Sequence, residues 1–304
     1  MPGLSLIVNP AAGRGRARAV VPQVTAVLAA DGADYQVTES DSLEHAALLA
    51  CEAGAAGRVV VAVGGDGMAG ALAGAASLQG AGYGIIPAGR GNDLARMLAI
   101  PADPAQAARL LTSGSRRQVD LIGVGVPGQP EAVVAGSVYT GVPSVAGEIA
   151  NGTRLVRGSA VYTLAALRAV AGWRPPRFAV QGSDTFHDFA GYAVVVANSA
   201  FFGAGMKVAP SARIDDGELD LILMRHAPKL TFIRCLTKIS DGSHVTLPQV
   251  SVHRDTDVTL TMDRAMPVAA DGETLPFAAP LPAGTPLRIR VLPAALTVIA
   301  PAAG

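Results

Sequence analysis

The stretch Arg58 to Gly70 reads RVVVAVGGDGMAG, a charge-free run of β-branched residues that ends abruptly on three glycines around one carboxylate. Continuous apolar strands of this kind belong to parallel sheets covered on both faces. The Ala-rich segment Met68 to Ser77 behind it reads as a helix, so the unit is a buried strand, a tight turn and a helix. Glycine lets the backbone take positive φ and approach a ligand closely, and a helix start presents free N–H groups and a partial positive charge suited to phosphate. Asp66 stands at the C-terminal end of the strand, where open α/β sheets bind their ligands. By itself the stretch serves equally as a glycine-rich turn with a solvated carboxylate.

The same unit recurs. Leu4 to Val8 is a short apolar strand running into Asn9-Pro10-Ala11-Ala12-Gly13-Arg14-Gly15-Arg16, with a helix from about Arg16 to Ala30. Gly13-x-Gly15 lacks the third glycine of a dinucleotide fingerprint, since Arg18 takes that place; a bare phosphate-contacting loop fits better. Ala33 to Glu39 reads as a strand and Ser42 to Ala53 as a helix with Ser42 at its N-cap. Tyr83 to Pro87 is the next strand, ending in Gly89-Arg90-Gly91-Asn92-Asp93, where Asn92 or Asp93 caps a further helix and Asp93 is read chiefly as that cap. Four such units predict a mostly parallel sheet with helices on both sides. The loops at Asn9, Asp66 and Asn92 fall at equivalent strand ends and predict one shared site.

Ser113 to Arg117 is read as closing the first half. Beyond it, Val119–Val126, Glu131–Tyr139, Phe178–Gln181, Gly191–Ala197, Glu218–Met224, Gln249–His253 and Asp257–Met262 are short, partly alternating runs separated by turn residues. Such runs predict a β-sandwich-like second domain, interrupted by helices at Leu155–Val170 and Lys229–Ser240 and followed by strand-like Leu287–Leu292 and Leu296–Ile299. A length of 304 residues, half of them apolar, suffices for two cores. Zero net charge argues against a nucleic-acid partner. Two cysteines without a paired motif predict a reducing, cytoplasmic setting. The N-terminus has no basic n-region of a signal peptide, and the charge-free residues 67–89 are interrupted by seven glycines and Pro87 and do not read as a span. No Gly-Lys dipeptide exists, which excludes a Walker loop; no HExxH or GxSxG occurs, and the five histidines read as surface residues.

Asn9-Pro10-Ala11-Ala12-Gly13, Gly64-Gly65-Asp66-Gly67, Gly89 to Arg96, Asn198 to Leu221 and Asp271-Gly272-Glu273, in this order and spacing, resemble the diacylglycerol kinase catalytic family, which includes sphingosine and ceramide kinases. The resemblance covers almost the whole chain. It implies an N-terminal three-layer α/β/α nucleotide-binding domain over residues 1–122, completed by 293–304, and a β-sandwich-like lipid-binding domain over 123–292. It implies ATP held by Asn9, Pro10, Ala11, Ala12 and Gly13, by Thr38, by Gly64, Gly65, Asp66, Gly67 and Met68, and by Arg90, Gly91 and Asn92. Glu273 is implied as the general base toward a lipid hydroxyl, with Asp66 as second catalytic residue. A structural Mg²⁺ is implied at Asp216, at the carbonyl of Glu218 and at Asp215, although from spacing alone this segment also reads as a turn.

The chain departs from the family pattern at Met68, where a Thr is usual, at Arg90 and Gly91 in the third loop, and at Arg213, which cannot ligate a cation. Arg90 offers a planar, permanently charged phosphate partner instead. The resulting expectation is an ATP-dependent lipid kinase acting peripherally at the inner membrane face on diacylglycerol or a related lipid, with a homodimer allowed. The alternatives are an NAD kinase-like phosphotransferase and a catalytically silent nucleotide- or lipid-binding regulator.

Overall fold

The computed structural model describes residues 2–152, 159–275, 277 and 280–302. In the first half, strands β1 (Leu4–Val8), β2 (Tyr35–Glu39), β3 (Val59–Gly64) and β4 (Gly82–Pro87) alternate with helices α1 (Arg16–Ala30), α2 (Leu43–Ala55) and α3 (Asp66–Leu78), followed by α4 (Asp93–Met97) and α5 (Pro104–Ser113). The strands form a parallel sheet in the order β2-β1-β3-β4. β1 and β3 are buried at every residue, which is why they read as unbroken apolar runs, whereas the edge strand β2 is largely open. Ser42 caps α2 by accepting from the His45 amide at 3.1 Å, and Asp103 caps α5 through the Gln106 amide at 2.9 Å.

The second half contains β5 (Ser115–Gly125), β6 (Ala132–Val134), β7 (Ser137–Gly141), α6 (Val142–Gly152), α7 (Ser159–Gly172), β8 (Arg177–Gln181), β9 (Phe186–Ala197), β10 (Leu219–Arg225), α8 (Lys229–Lys238), β11 (Val250–Asp255), β12 (Asp257–Met262), β13 (Val268–Ala270), β14 (Glu273–Thr274) and β15 (Leu287–Ala300). Two layers of strands face each other. Phe178, Val180, Leu260 and Ile289 from one layer meet Val138, Val196, Leu221 and Val268 from the other in a single core. β9 serves both layers: Phe186–Ala190 pair with β8, and the residues from Gly191 onward pair with β10, with Ala193–Ala197 also pairing with β7. On the outer face of the β7–β9–β10 layer, α6, α7 and α8 cover Tyr139, Val195 and Ile222 in a third core.

β5 and β15 lie antiparallel along nearly their whole length, and β15 also adds to the first sheet in parallel with β4, Thr297 opposite Gly82. The apolar side chains change allegiance along this pair: Leu121, Leu296 and Val298 belong to the first core, Ile122, Val291 and Ile289 to the sandwich core. At the change, β15 bulges over Pro293–Ala295, with Ala294 at φ 49°. Asp120 pins the bulge, one carboxylate oxygen accepting from the Ala294 amide and the other from the Gly217 amide, each at 2.7 Å.

Several expectations change. Ser113–Arg117 is not simply a closing loop: from Ser115 it is the outer half of β5, hidden from a hydrophobicity reading because Ser115, Arg116 and Gln118 face solvent. Glu131–Tyr139 divides into β6 and β7, because the amides at Ala135 to Ser137 turn toward a carboxylate. Leu287–Leu292 and Leu296–Ile299 are one strand across the bulge. The expected helix at Leu155–Val170 is seen from Ser159; Leu155 lies outside the described residues. The histidines are not all surface groups: His244 is fully buried with Nε2 3.0 Å from the Val208 carbonyl, and the half-buried His187 and His253 rings meet at a tilt with centroids 4.1 Å apart.

Candidate active site

The three glycine-bearing strand ends meet at the C-terminal edge of the parallel sheet. In the first loop, Asn9 accepts from the Ala11 amide at 3.1 Å, fixing the turn that carries Pro10, Ala11 and Ala12. Gly13 sits at φ 60°, and a Cβ there would stand 2.2 Å from the Ala88 carbonyl oxygen, so only glycine lets the first loop lie on the third. The second and third loops touch through backbone: a Cβ on Gly89 would lie 2.4 Å from the Gly65 Cα. Asn92 braces the third loop, its Oδ1 accepting from the Gly89 amide at 2.9 Å.

Asp66 opens α3 and turns its carboxylate toward the third loop, where Oδ2 accepts from the Asn92 amide at 2.8 Å and Oδ1 from the Asp93 amide. It therefore supplies the cap of α4 from outside that helix. Asp93, expected as the cap, is instead nearly buried and reaches into the second half, accepting from the Ala204 and Gly205 amides at 2.9 and 2.7 Å. Asn92 occupies the cap position with no side-chain cap bond, because its amide is already committed to Gly89. Burial, with the Asp66 charge beside it, raises the Asp93 carboxyl above its ordinary range, against the pull of the Ala204 and Gly205 amides and of Arg96.

The second half contributes the hairpin between β13 and β14. Asp271 and Gly272 form its two-residue turn, both with positive φ (48° and 96°), as an Asp-Gly hairpin requires. The Asp271 carboxylate faces inward and accepts from the Ala135, Gly136 and Ser137 amides at 2.8, 2.9 and 2.9 Å, a three-amide nest for an anion. Its burial raises the Asp271 carboxyl, the three amides opposing that rise and the Asp66 charge adding to it. Glu273 follows, exposed, and its Oε1 comes within 3.4 Å of where a Cβ on Gly67 would stand. The carboxylate of one half thus lies against the glycine turn of the other, at the start of α3.

Other expected residues stand differently. Met68 is 2 % exposed and packs on Gly64, so its side chain belongs to the first core and only its backbone reaches the loop. Thr38 lies half-buried on β2 opposite Ile7, with no hydrogen bond to the three loops among the described residues. Arg90 is exposed beside the third loop; like Arg14 and Arg16 in the first, it has no carboxylate partner among the described residues. Three free guanidinium groups at the rim of an amide-rich cradle suit a polyphosphate.

The acidic segment 215–220 is fastened to β5 and β11 rather than to the glycine loops. Asp215 pairs with Arg117 at 3.0 Å and Arg213 at 3.7 Å, and Glu218 with Arg254 at 3.1 Å. Asp220 is buried and accepts from the Ser211 hydroxyl, and Asp216 accepts from the Glu218 amide at 3.2 Å. Arginine pairs with Asp215 and with the Glu218 side chain, which leaves the Asp216 carboxylate and the Glu218 carbonyl as the members of the implied Mg²⁺ set without an arginine partner among the described residues.

Asp271 enters the sequence pattern only as the first residue of Asp271-Gly272-Glu273, and Asp120 and Arg96 carry no role there. Arg96 donates to the Gly91 carbonyl at 3.1 Å and lies over the Phe201 ring at 5.6 Å, joining the third loop to the second half. The Asp-Gly dipeptide was a visible signal for the hairpin; nothing local marks the partners of Asp120 or Arg96.

A parallel α/β sheet with an adjoining β-sandwich is a fold the chain shares with solved structures described as diacylglycerol kinases. The family described as "Diacylglycerol kinase catalytic domain" matches residues 3–124, and "YegS C-terminal NAD kinase beta sandwich-like domain" matches residues 136–300. The chain belongs to the diacylglycerol kinase catalytic-domain family, with the YegS-type C-terminal sandwich. It is 29 % identical over 304 residues to a diacylglycerol kinase of Mycobacterium tuberculosis (strain ATCC 25618 / H37Rv), covering 99 % of this chain and 96 % of that one. It is 30 % identical over 230 residues to a protein of Chromohalobacter salexigens named "Probable lipid kinase YegS-like", covering 74 % and 73 %. A diacylglycerol kinase crystal structure from Bacillus anthracis str. Sterne shares the fold, with TM-score 0.74 at 19 % identity over 99 % of this chain and 97 % of that one.

Proposed function

We propose that the protein transfers the γ-phosphate of ATP to the hydroxyl of diacylglycerol or a related lipid. The observation that carries this reading is the placement of Glu273, on a hairpin of the sandwich, against Gly67 and the opening turn of α3. Phosphoryl transfer needs bound phosphates and an acceptor hydroxyl that loses its proton as it attacks. The amides of the three glycine loops, the start of α3 and Arg14, Arg16 and Arg90 hold the phosphates. Glu273 accepts the proton of the lipid hydroxyl, and Asp271, locked in its amide nest, fixes the turn that aims Glu273. Asp66 keeps the second and third loops in register rather than touching the acceptor. Mg²⁺, when bound with the nucleotide, would neutralise charge on the phosphates.

In this reading residues 1–122 with 293–304 form the nucleotide unit and 123–292 the acceptor unit. The protein works in the cytoplasm at the inner membrane face. Incubating it with labelled ATP and a panel of lipids, then extracting into organic solvent, tests the assignment. Label should enter the organic phase with diacylglycerol or a close relative; label that stays in water with every lipid, or that moves onto NAD, overturns it.

A further inference from the structure

The open edge of the sandwich gathers polar groups that the chain itself leaves unsatisfied. β11 is the edge strand of its layer, and its Ser251 and His253 lie opposite Leu223 and Leu221, facing the sandwich interior. In the facing layer His187 stands on β9 opposite Val180, and its ring meets that of His253 at a centroid distance of 4.1 Å. Nε2 of both rings, Oγ of Ser251 and Nε2 of Gln249 are buried with no hydrogen-bond partner among the described residues. Arg225 of β10 completes the group. Its amide donates to the Gln249 carbonyl at 2.8 Å, and its half-buried guanidinium lies 5.0 Å over the Phe189 ring with no hydrogen bond or carboxylate partner among the described residues. Burial first, and then the Arg225 charge, hold both imidazoles below their ordinary range, the His187 ring adding to the effect on His253. The acid on this face of β11, Asp255, spends its oxygens on Ser183, Thr256 and Asp257. Asp188 and Arg254, on the opposite faces of their strands, pair with Arg177 and Glu218, and β8 adds only the apolar Phe178 and Val180 to this side.

We propose that this edge is a second anion site, which takes a phosphate group between Arg225 and the two imidazoles with Ser251 as a further donor. A guanidinium, two rings and a hydroxyl brought together with no free carboxylate among them lack the one partner that an oxyanion supplies. Protonation makes each ring a donor at both nitrogens, and a bound anion offsets the cost of charging a buried imidazole beside an arginine. A metal ion fits worse, because it would meet the Arg225 charge, and no third His, Cys, Asp or Glu converges among the described residues. The place is separate from the glycine loops. β9 carries His187 near its start and leads at its other end to Asn198, which donates to the Asp120 and Ala135 carbonyls on the cleft side. A phosphate held at this edge is therefore not the one that is transferred.

Histidine ring NMR on the full chain tests this, since five histidines give five Cε1–H signals and the variants H187Q and H253Q assign two of them. Sulfate, which keeps two charges across the range, should move both signals at pH 6, with chloride at equal ionic strength as the blank. At pH 8, where the rings have given up their protons, it should bind roughly ten-fold or more weakly. R225Q should weaken sulfate roughly ten-fold or more, and R225K, which keeps the charge without the planar fork, should fall between R225Q and wild type. R90Q, altered at the glycine loops, should leave the two signals as responsive as in wild type. Inorganic phosphate and glycerol 3-phosphate, titrated in the same way, name the source: tighter binding of the first makes the ligand the free ion, and tighter binding of the second makes it a phosphate monoester. Signals that titrate with pH yet ignore sulfate, a response that chloride matches, or an undiminished response in both Arg225 variants would overturn the proposal. So would a response to Zn²⁺ that R225Q strengthens, with none to sulfate.

Discussion

The glycine loops of the first half and the hairpin of the second build the same cleft with opposite materials. On the first side the chemistry is made of backbone: Gly13 and Gly89 allow main chains to touch where any side chain would collide. On the second side it is made of carboxylates, Asp271 and Glu273, each placed by what it leans on. Backbone sites tolerate no added atom, whereas side-chain sites tolerate no lost one. The contrast teaches that a substitution of the same size should break the first side by addition and the second by removal.

The largest effect expected is on the second side. Glu273→Gln keeps the size of the side chain and removes the proton acceptor, so kcat should fall by about 10² to 10⁴ with nucleotide affinity and melting temperature nearly unchanged. Turnover near the wild-type rate would transfer the role of base elsewhere. Gly89→Ala tests the first side by adding one methyl that would lie 2.4 Å from the Gly65 Cα. Overpacking of this kind costs roughly 1 to 3 kcal/mol, and weakened ATP binding should accompany the shift in denaturant midpoint. A Gly89→Ala variant as stable and as tight for ATP as the wild type would erase the contrast.

Met68→Thr probes a residue that sits at the loop by sequence and in the core by structure. Shortening a side chain that is 2 % exposed and adding a buried hydroxyl should cost about 2 kcal/mol without improving the Michaelis constant for ATP. Tighter ATP binding in the variant would return that position to the phosphate site. The smallest effect separates the halves by pH. Burial lowers His244, His187 and His253, all in the second half, below the ordinary value of 6.5, and the Arg225 charge adds to the lowering of the last two. The folded protein takes up these protons at lower pH than the unfolded chain, which does so below about pH 6.5, so stability is full above that pH and declines below it. Chemical denaturation from pH 8 to 5 should show the decline, and His244→Gln should flatten part of it; a pH-independent midpoint would rule the effect out.

The legible part of the molecule is the part whose causes are local. β1, β3 and β4 announce themselves because each is buried on both faces, and the glycine loops follow directly from strand ends. The outer half of β5 was missed since its pairing with β15 joins residues about 180 positions apart, and Arg116 and Arg117 disguise it as loop. Asp93 shows the same limit from the other side. A carboxylate before a helix reads as a cap, and only the arrival of Ala204 and Gly205 from the second half, together with Asp66 already capping α4, redirects it. The Gly-Asp-Gly and Asp-Gly-Glu segments were recognisable as strings, but that Glu273 meets Gly67 depends on strands that begin in one core and end in the other.

Those strands have a mechanical meaning. β5 and β15 pass from the first core into the second as one two-stranded ribbon, so the halves are joined by a plate and not by a tether. A tether would let them swing apart freely; a ribbon resists bending in its plane and yields mainly by twisting. Its weakest point is the bulge at Pro293–Ala295, and there Asp120 acts as a rivet, since flexing the bulge must first break its bonds to the Ala294 and Gly217 amides. Because Glu273 and Gly67 stand on opposite sides of this strip, its stiffness fixes how far one can depart from the other.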